Sequence, residues 1–288
     1  MGRTMSAKIV AFYSGEKGGT GKTTLSIFTS ILLVENPNIP YKVVLVDLSI
    51  DMNQIGILLQ ELSRNISYRD LIRSTHNEPG RYGLLDYLLG KCDIRKILYQ
   101  IDRKPFIIIP AGYATPEELK QLADFSVLNE IFQALKQRNI FVIVDLPSLR
   151  LYEAIANVLR FVDDIVFVVE PVKEHVAYLK KQCEALEKFL ERRPNIKIIL
   201  NKIKLSMMDY IKKEIYEDVE YLRREKGYPV YNINYRRLKF AEIEKDLPEV
   251  FLEIYLYSIK TDRDDLIHRI AELFLPTPED VYIDFITS

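Results

Sequence analysis

At 288 residues with 48% apolar side chains, the chain is long enough to bury one large core or two small ones, and a single domain is the simpler reading. Forty basic against forty-one acidic side chains leave a formal charge of −1, which excludes a global field for nucleic acid or anionic membrane and leaves any such contact to a local patch. Two cysteines, Cys92 and Cys183, set far apart, exclude a disulfide framework and a cysteine-ligated metal centre, and both are expected to be buried and inert.

The first element is the apolar run Ile9-Val10-Ala11-Phe12-Tyr13, a buried strand by its pattern, and it leads into Gly15-Glu16-Lys17-Gly18-Gly19-Thr20-Gly21-Lys22-Thr23-Thr24. A strand, a glycine-rich turn and a helix opening at Thr23 are what a phosphate-binding loop requires, because successive backbone N–H groups and a helix N-terminus then converge on one anion. Gly18, Gly19 and Gly21 allow the backbone to wrap the phosphates, Lys22 supplies a point charge for the β- and γ-phosphates, and the Thr23 hydroxyl can ligate Mg²⁺. With Thr20 and Thr24 these are the candidate nucleotide-binding residues of the loop. The standard motif has glycine at position 16, where this chain has Glu16, and is indifferent at position 17, where this chain has a second lysine.

Thr23 to Glu35 reads as a helix that stops before Asn36-Pro37. Lys42-Val43-Val44-Leu45-Val46-Asp47 is a second strand, ending in a carboxylate, and the less regular region 50–104 is expected to hold helices near 67–75 and 83–90. Four more apolar runs follow at 106–110, 141–145, 165–169 and 196–200, with helices expected at 116–137, 151–160, 174–192 and 207–226 and a short strand near 229–233. Unalternating strands separated by helices predict a doubly wound α/β architecture: a mostly parallel sheet with helices on both faces and ligands at the carboxyl ends of the strands. The whole of 1–288 is expected to form one such domain, with a flexible 1–7 and a tail over 276–288. No run is apolar enough to span a bilayer and the charged N-terminus lacks a secretory core, so a cytoplasmic protein is expected.

The segment Lys17-Gly18-Gly19-Thr20-Gly21-Lys22-Thr23-Thr24 resembles the deviant Walker A loop of the ParA/MinD family of P-loop ATPases, and the ParA-like DNA-partition branch in particular. The resemblance implies ATP or ADP and Mg²⁺ as cofactors, and it implies that Lys17 reaches across a nucleotide-sandwich homodimer to the partner's phosphates. Asp145, closing Phe141-Val142-Ile143-Val144, fits the strand-end carboxylate that partners the metal, and Asp145-Leu146-Pro147-Ser148 is similar to the family's Asp-x-Pro-Pro. Asp47 matches the first aspartate of the family's Asp-x-Asp switch, but Ser49 stands at the second, which predicts slow turnover unless Asp51 substitutes. The implied catalytic set is Lys17, Lys22, Asp47 and Asp145, and the implied metal set is Thr23, Asp47 and Asp145. Asn201, closing Ile198-Ile199-Leu200 and followed by Lys202, matches the position from which the family hydrogen-bonds the adenine edge, for which an amide offers both donor and acceptor.

Gly83 to Gly90 with Phe106 to Gly112, and Tyr231 to Arg237, extend the likeness over roughly residues 8–250. The prolines and acids of the last fourteen residues disqualify that end as a membrane-surface helix. ParA-like members bind DNA without sequence preference, and the basic candidates for this are Lys202, Lys204, Arg223, Arg224, Arg236 and Arg237. Glu214, Glu217, Asp218 and Glu220 nearby are equally consistent with an ordinary solvated face. Two functions stay open: an ATP-dependent dimer that binds DNA in plasmid or chromosome segregation at the nucleoid, with a DNA-site-binding adaptor stimulating hydrolysis, or a nucleotide-gated, MinD-like positioning scaffold that recruits a protein without DNA.

Overall fold

The computed structural model describes residues 8–15, 18–35, 42–49, 53–64, 72–74, 79–101, 105–115, 117–118, 126–136, 140–147, 158–203 and 208–234. β1 (Lys8–Tyr13) is followed by α1 (Lys22–Glu35), β2 (Lys42–Asp47), α2 (Gln54–Arg64), β3 (Ile72–Ser74), α3 (Leu84–Leu88), β4 (Tyr99–Ile101) and β5 (Phe106–Ile109). Then come α4 (Ser126–Lys136), β6 (Ile140–Asp145), β7 (Asp164–Val169), α5 (Lys173–Leu190), β8 (Asn195–Ile203) and β9 (Val230–Asn234). Between β8 and β9 a helical stretch alternates Met208–Tyr210 and Tyr216–Glu220 with π-helical Ile211–Ile215 and Tyr221–Glu225.

The nine strands among the described residues form one sheet in the order β3-β4-β5-β2-β6-β1-β7-β8-β9. From β5 to β9 every neighbouring pair is parallel, and β4 and β3 extend the β5 edge antiparallel. The mostly parallel, doubly wound sheet expected from the apolar runs is the one found. Residues 72–74 correct the expectation of a helix near 67–75: they pair with Tyr99–Ile101, and cross-strand hydrogen bonds override a weak local helical preference. Of the helices expected at 116–137 and 151–160, the described residues contain the helical pair 117–118 and α4 of the first and 158–160 of the second, and the rest of both falls outside them.

The absence of alternation in the strands has a direct cause. Ile9, Ala11 and Tyr13 of β1 belong to an apolar layer under α5 with Phe167, Val176, Leu179 and Leu186, while Val10 and Phe12 join the opposite layer with Leu25, Phe28 and Ile31 of α1. Both faces of β1 are covered, so Ile9 through Phe12 are each 0% exposed and no position is left for a polar residue. Buried hydroxyls on α1 are satisfied locally, Ser30 donating to the Ser26 carbonyl at 2.8 Å. At the amino ends of the strands the buried Asp164 is held by Lys8 at 2.7 Å and Lys197 at 2.9 Å. Cys183 is buried, and burial pushes its thiol up to about 12, as expected of an inert cysteine, whereas Cys92 is half-buried. No helix among the described residues is long and apolar enough to cross a membrane.

The topology creates the crevice. β1 leads through α1 to β2, which lies beyond β6, while β7 lies on the other side of β1. The chain therefore departs in both directions from the β6–β1 pair, and the carboxyl ends of those strands are left uncovered as a place for ligand.

Candidate functional site

The turn that follows β1 sits at that crevice. Gly19 (φ 71°) and Gly21 (φ 88°) adopt the left-handed region, and α1 begins at once, Leu25 donating its N–H to the Gly21 carbonyl at 3.0 Å. A Cβ on Gly21 would stand 2.5 Å from Nδ2 of Asn201, whereas one on Gly18 meets nothing within 4 Å. Gly21→Ala is therefore expected to lower the unfolding free energy by about 1–3 kcal/mol in denaturant titration, and Gly18→Ala to leave it unchanged. Thr20 is 2% exposed, with its hydroxyl oxygen unpartnered, while Thr23 and Thr24 are half-buried on the first turn of α1. Lys17 lies outside the described residues.

Strand register brings the carboxylates together. Asp47 and Asp145 are direct partners in the parallel β2–β6 ladder, and both are 0% exposed. Lys22, 6% exposed, donates from Nζ to Oδ1 of Asp145 at 3.2 Å. Ser49 touches both acids: its N–H donates to Oδ1 of Asp47 at 2.8 Å and its hydroxyl to Oδ2 of Asp145 at 3.3 Å. Burial and then the charge of Asp145 push the Asp47 carboxyl up to about 7, against the opposing pull of the Ser49 N–H and the Lys22 ammonium.

Two acids, one ammonium and a hydroxyl beneath a glycine turn leave a deficit of positive charge. Oδ2 of Asp47 and the Thr20 hydroxyl are buried without hydrogen-bond partners, as groups waiting for a ligand would be. A hard divalent cation with its own waters suits such oxygens. Mg²⁺ is held by one or two carboxylates plus substrate phosphates, and among the described residues no three His, Cys, Asp or Glu side chains form a protein cage.

Sequence reading missed two residues here. Ser49 was visible only as a missing aspartate, yet its hydroxyl orients Asp145. Asn53, 1% exposed with φ 41°, donates its N–H to the Ser49 carbonyl at 2.9 Å and accepts at Oδ1 from the Gly112 N–H at 3.1 Å. It thereby ties the segment after β2 to the loop after β5. The available signal was an asparagine directly before a helical pattern, a residue type that tolerates left-handed backbone and caps helices.

The remaining candidates divide. Asn201, 2% exposed, donates from Nδ2 to the Thr20 carbonyl at 2.8 Å and keeps Oδ1 unpartnered. Lys202 donates to the Gly19 carbonyl and pairs with Glu170 at 3.3 Å. Arg223 pairs with Glu220 at 3.4 Å and Arg224 pairs with the same carboxylate group. Lys204, Arg236 and Arg237, like Asp51 and Ser148, lie outside the described residues.

Residues 7–198, more than half of the chain, match the family model described as an AAA domain. A curated relative, the tyrosine-protein kinase CpsD of Streptococcus agalactiae, is 27% identical over 132 residues, which are 44% of this chain and 55% of that protein. The chain thus spans about half the length of the curated relatives it matches. Among solved structures, a putative plasmid partition protein from Borrelia burgdorferi B31 bound to AMPPNP superimposes with a TM-score of 0.59 at 19% identity, covering 88% of this chain and 100% of that one. The MinC:MinD cell division complex of Aquifex aeolicus gives 0.62 at 20% identity, covering 96% and 99%.

Proposed function

The chain belongs to the AAA-domain family and has the fold of the ParA/MinD P-loop ATPases, and from there we propose that it is itself an ATP-hydrolysing, Mg²⁺-dependent molecular switch that dimerises around its nucleotide. The observation that carries the reading is Lys22 drawn onto Asp145, opposite Asp47, under a turn in which Gly19 and Gly21 are left-handed.

The loop N–H groups and Lys22 bind and neutralise the β- and γ-phosphates, for which Lys22 leaves Asp145. The carboxylate so freed, with Asp47 and the Thr23 hydroxyl, would hold Mg²⁺, whose chemistry is to offset charge on the phosphate oxygens. Asp47 is the carboxylate assigned to orienting water toward the γ-phosphorus and to accepting its proton. Water attacks phosphorus, the bond to the bridging oxygen breaks, and ADP and phosphate leave. A serine in place of a second switch aspartate leaves less to position that water, so turnover is slow.

Lys17 is assigned to the partner's phosphates. Lys17→Ala is expected to bind ATP about as tightly as wild type but to stay monomeric with ATP and Mg²⁺ in sedimentation velocity; an undiminished dimer would remove Lys17 from this role. DNA binding in segregation, with an adaptor protein, is the first use of such a dimer. The second, a positioning scaffold for a protein partner, draws support from the pairing of Arg223 and Arg224 with Glu220, which reduces the charge available to phosphates. A gel shift of nonspecific duplex at low salt, present only with ATP and lost as salt rises, selects the first; no shift selects the second.

A further inference from the structure

We propose that Asn201 and Lys202 are positioning residues for phosphate binding: from the end of β8 they grip two consecutive carbonyls of the glycine turn and so aim the following N–H groups at the polyphosphate. The inference rests on the ATP reading above and assigns this pair a task distinct from reading adenine or contacting DNA.

The geometry follows from the planar peptide. In a trans unit the C=O of one residue and the N–H of the next point in opposite directions. Lys202 on the Gly19 carbonyl therefore turns the Thr20 N–H away from β8, and Asn201 on the Thr20 carbonyl does the same for the Gly21 N–H. Two adjacent N–H groups presented to the same side form the concave donor set that recognises phosphate oxygens. The peptides concerned border Gly19 and Gly21, where no side chain hinders rotation, so without an outside grip the donors would have to be ordered at the expense of binding.

The sheet makes this grip possible by breaking its own rule. Consecutive strand residues point to opposite faces, so Asn201 and Lys202 in a regular strand could not reach one loop. Here the β8–β9 register shifts between Leu200 and Ile203, and Lys202 takes the left-handed region at φ 60°, uncommon for lysine. The local kink lets both side chains reach the turn. Glu170, just past the end of β7, then anchors the Lys202 ammonium at 3.3 Å.

The test is calorimetry of the full chain with two ligands, Mg²⁺-ATP and Mg²⁺ with inorganic triphosphate, which has no base. Asn201→Ala and Lys202→Met are each expected to weaken both ligands by the same factor, about tenfold for a lost charge-assisted or buried hydrogen bond. Lys202→Arg should recover most of the loss, and Glu170→Gln should give a smaller loss, about threefold, in the same direction. In steady state the KM for ATP should rise while kcat holds. Triphosphate binding that is unchanged in Asn201→Ala and Lys202→Met, whether or not ATP binding falls, overturns the proposal. Wild-type protein that binds neither ligand overturns the ATP reading itself, and this inference with it.

Discussion

Lys22→Met is expected to abolish ATP binding detectable by calorimetry and, without any ligand, to lower the unfolding free energy at pH 8 by about 3 kcal/mol or more. The first effect removes the only point charge the described part of the turn offers to the phosphates. The second has a different origin: Lys22 at 6% exposure is 3.2 Å from Asp145 at 0%, and Asp47 lies opposite Asp145 in the ladder, so the variant leaves two buried carboxyls facing each other with no cation between them. Truncating one partner of a buried pair strands the other's charge, and the molecule can only respond by taking up a proton or loosening. The destabilisation should therefore be much smaller at pH 5. Adding Asp145→Asn to Lys22→Met should restore most of the stability at pH 8 without restoring ATP binding. A Lys22→Met protein as stable as wild type at both pH values would show that the pair contributes nothing to the metal-free fold.

The metal-free protein should also lose stability as pH rises from about 4 toward about 7. Asp47 has its folded-state pKa raised to about 7 from 3.8, so between those values the folded chain holds a proton that the unfolded chain releases. Stability falls with pH wherever the folded state binds more protons, and the contribution is complete only below the unfolded value. It amounts to at most about 4 kcal/mol, from roughly 1.4 kcal/mol for each pH unit of separation. Because paired carboxylates elsewhere act in the opposite sense at low pH, the clean measurement is a difference: urea unfolding at pH 5 and pH 8 for wild type and Asp47→Asn. The asparagine variant should gain stability relative to wild type at pH 8 and lose that advantage at pH 5. Identical pH dependence in the two proteins would mean that Asp47 is ionised in the fold throughout. Mg²⁺ with ADP favours the ionised carboxyl, so the stabilisation those ligands confer should be larger at pH 8 than at pH 5.

Much of the architecture was legible because its signals are local. Ile9 to Tyr13, Val43 to Asp47 and Phe141 to Asp145 read as buried strands since a strand covered on both faces needs a continuous apolar run, and the same runs placed Asp47 and Asp145 at strand ends. The antiparallel extension was not legible, because β3 and β4 contain three residues each and a pattern of period two needs more than that to declare itself. Ser49 read as a deficiency and turned out to be a contact. Lys202 read as a surface cation, and its ammonium is engaged by Gly19 and Glu170.

The amino-acid order by itself determined the glycine turn, the lysines within it, the strand that delivers it and the acid that ends each of two later strands, since each of these is a matter of residues adjacent in the chain. Only the tertiary structure decided that Asp47 stands beside Asp145, that Ser49 bridges them, and that Asn201 and Lys202 grip a turn about 180 positions earlier. The reason is physical: hydrogen bonds between distant residues exist only once strand order and register are set, and those are settled by how the two apolar layers close over the sheet rather than by any short stretch of chain.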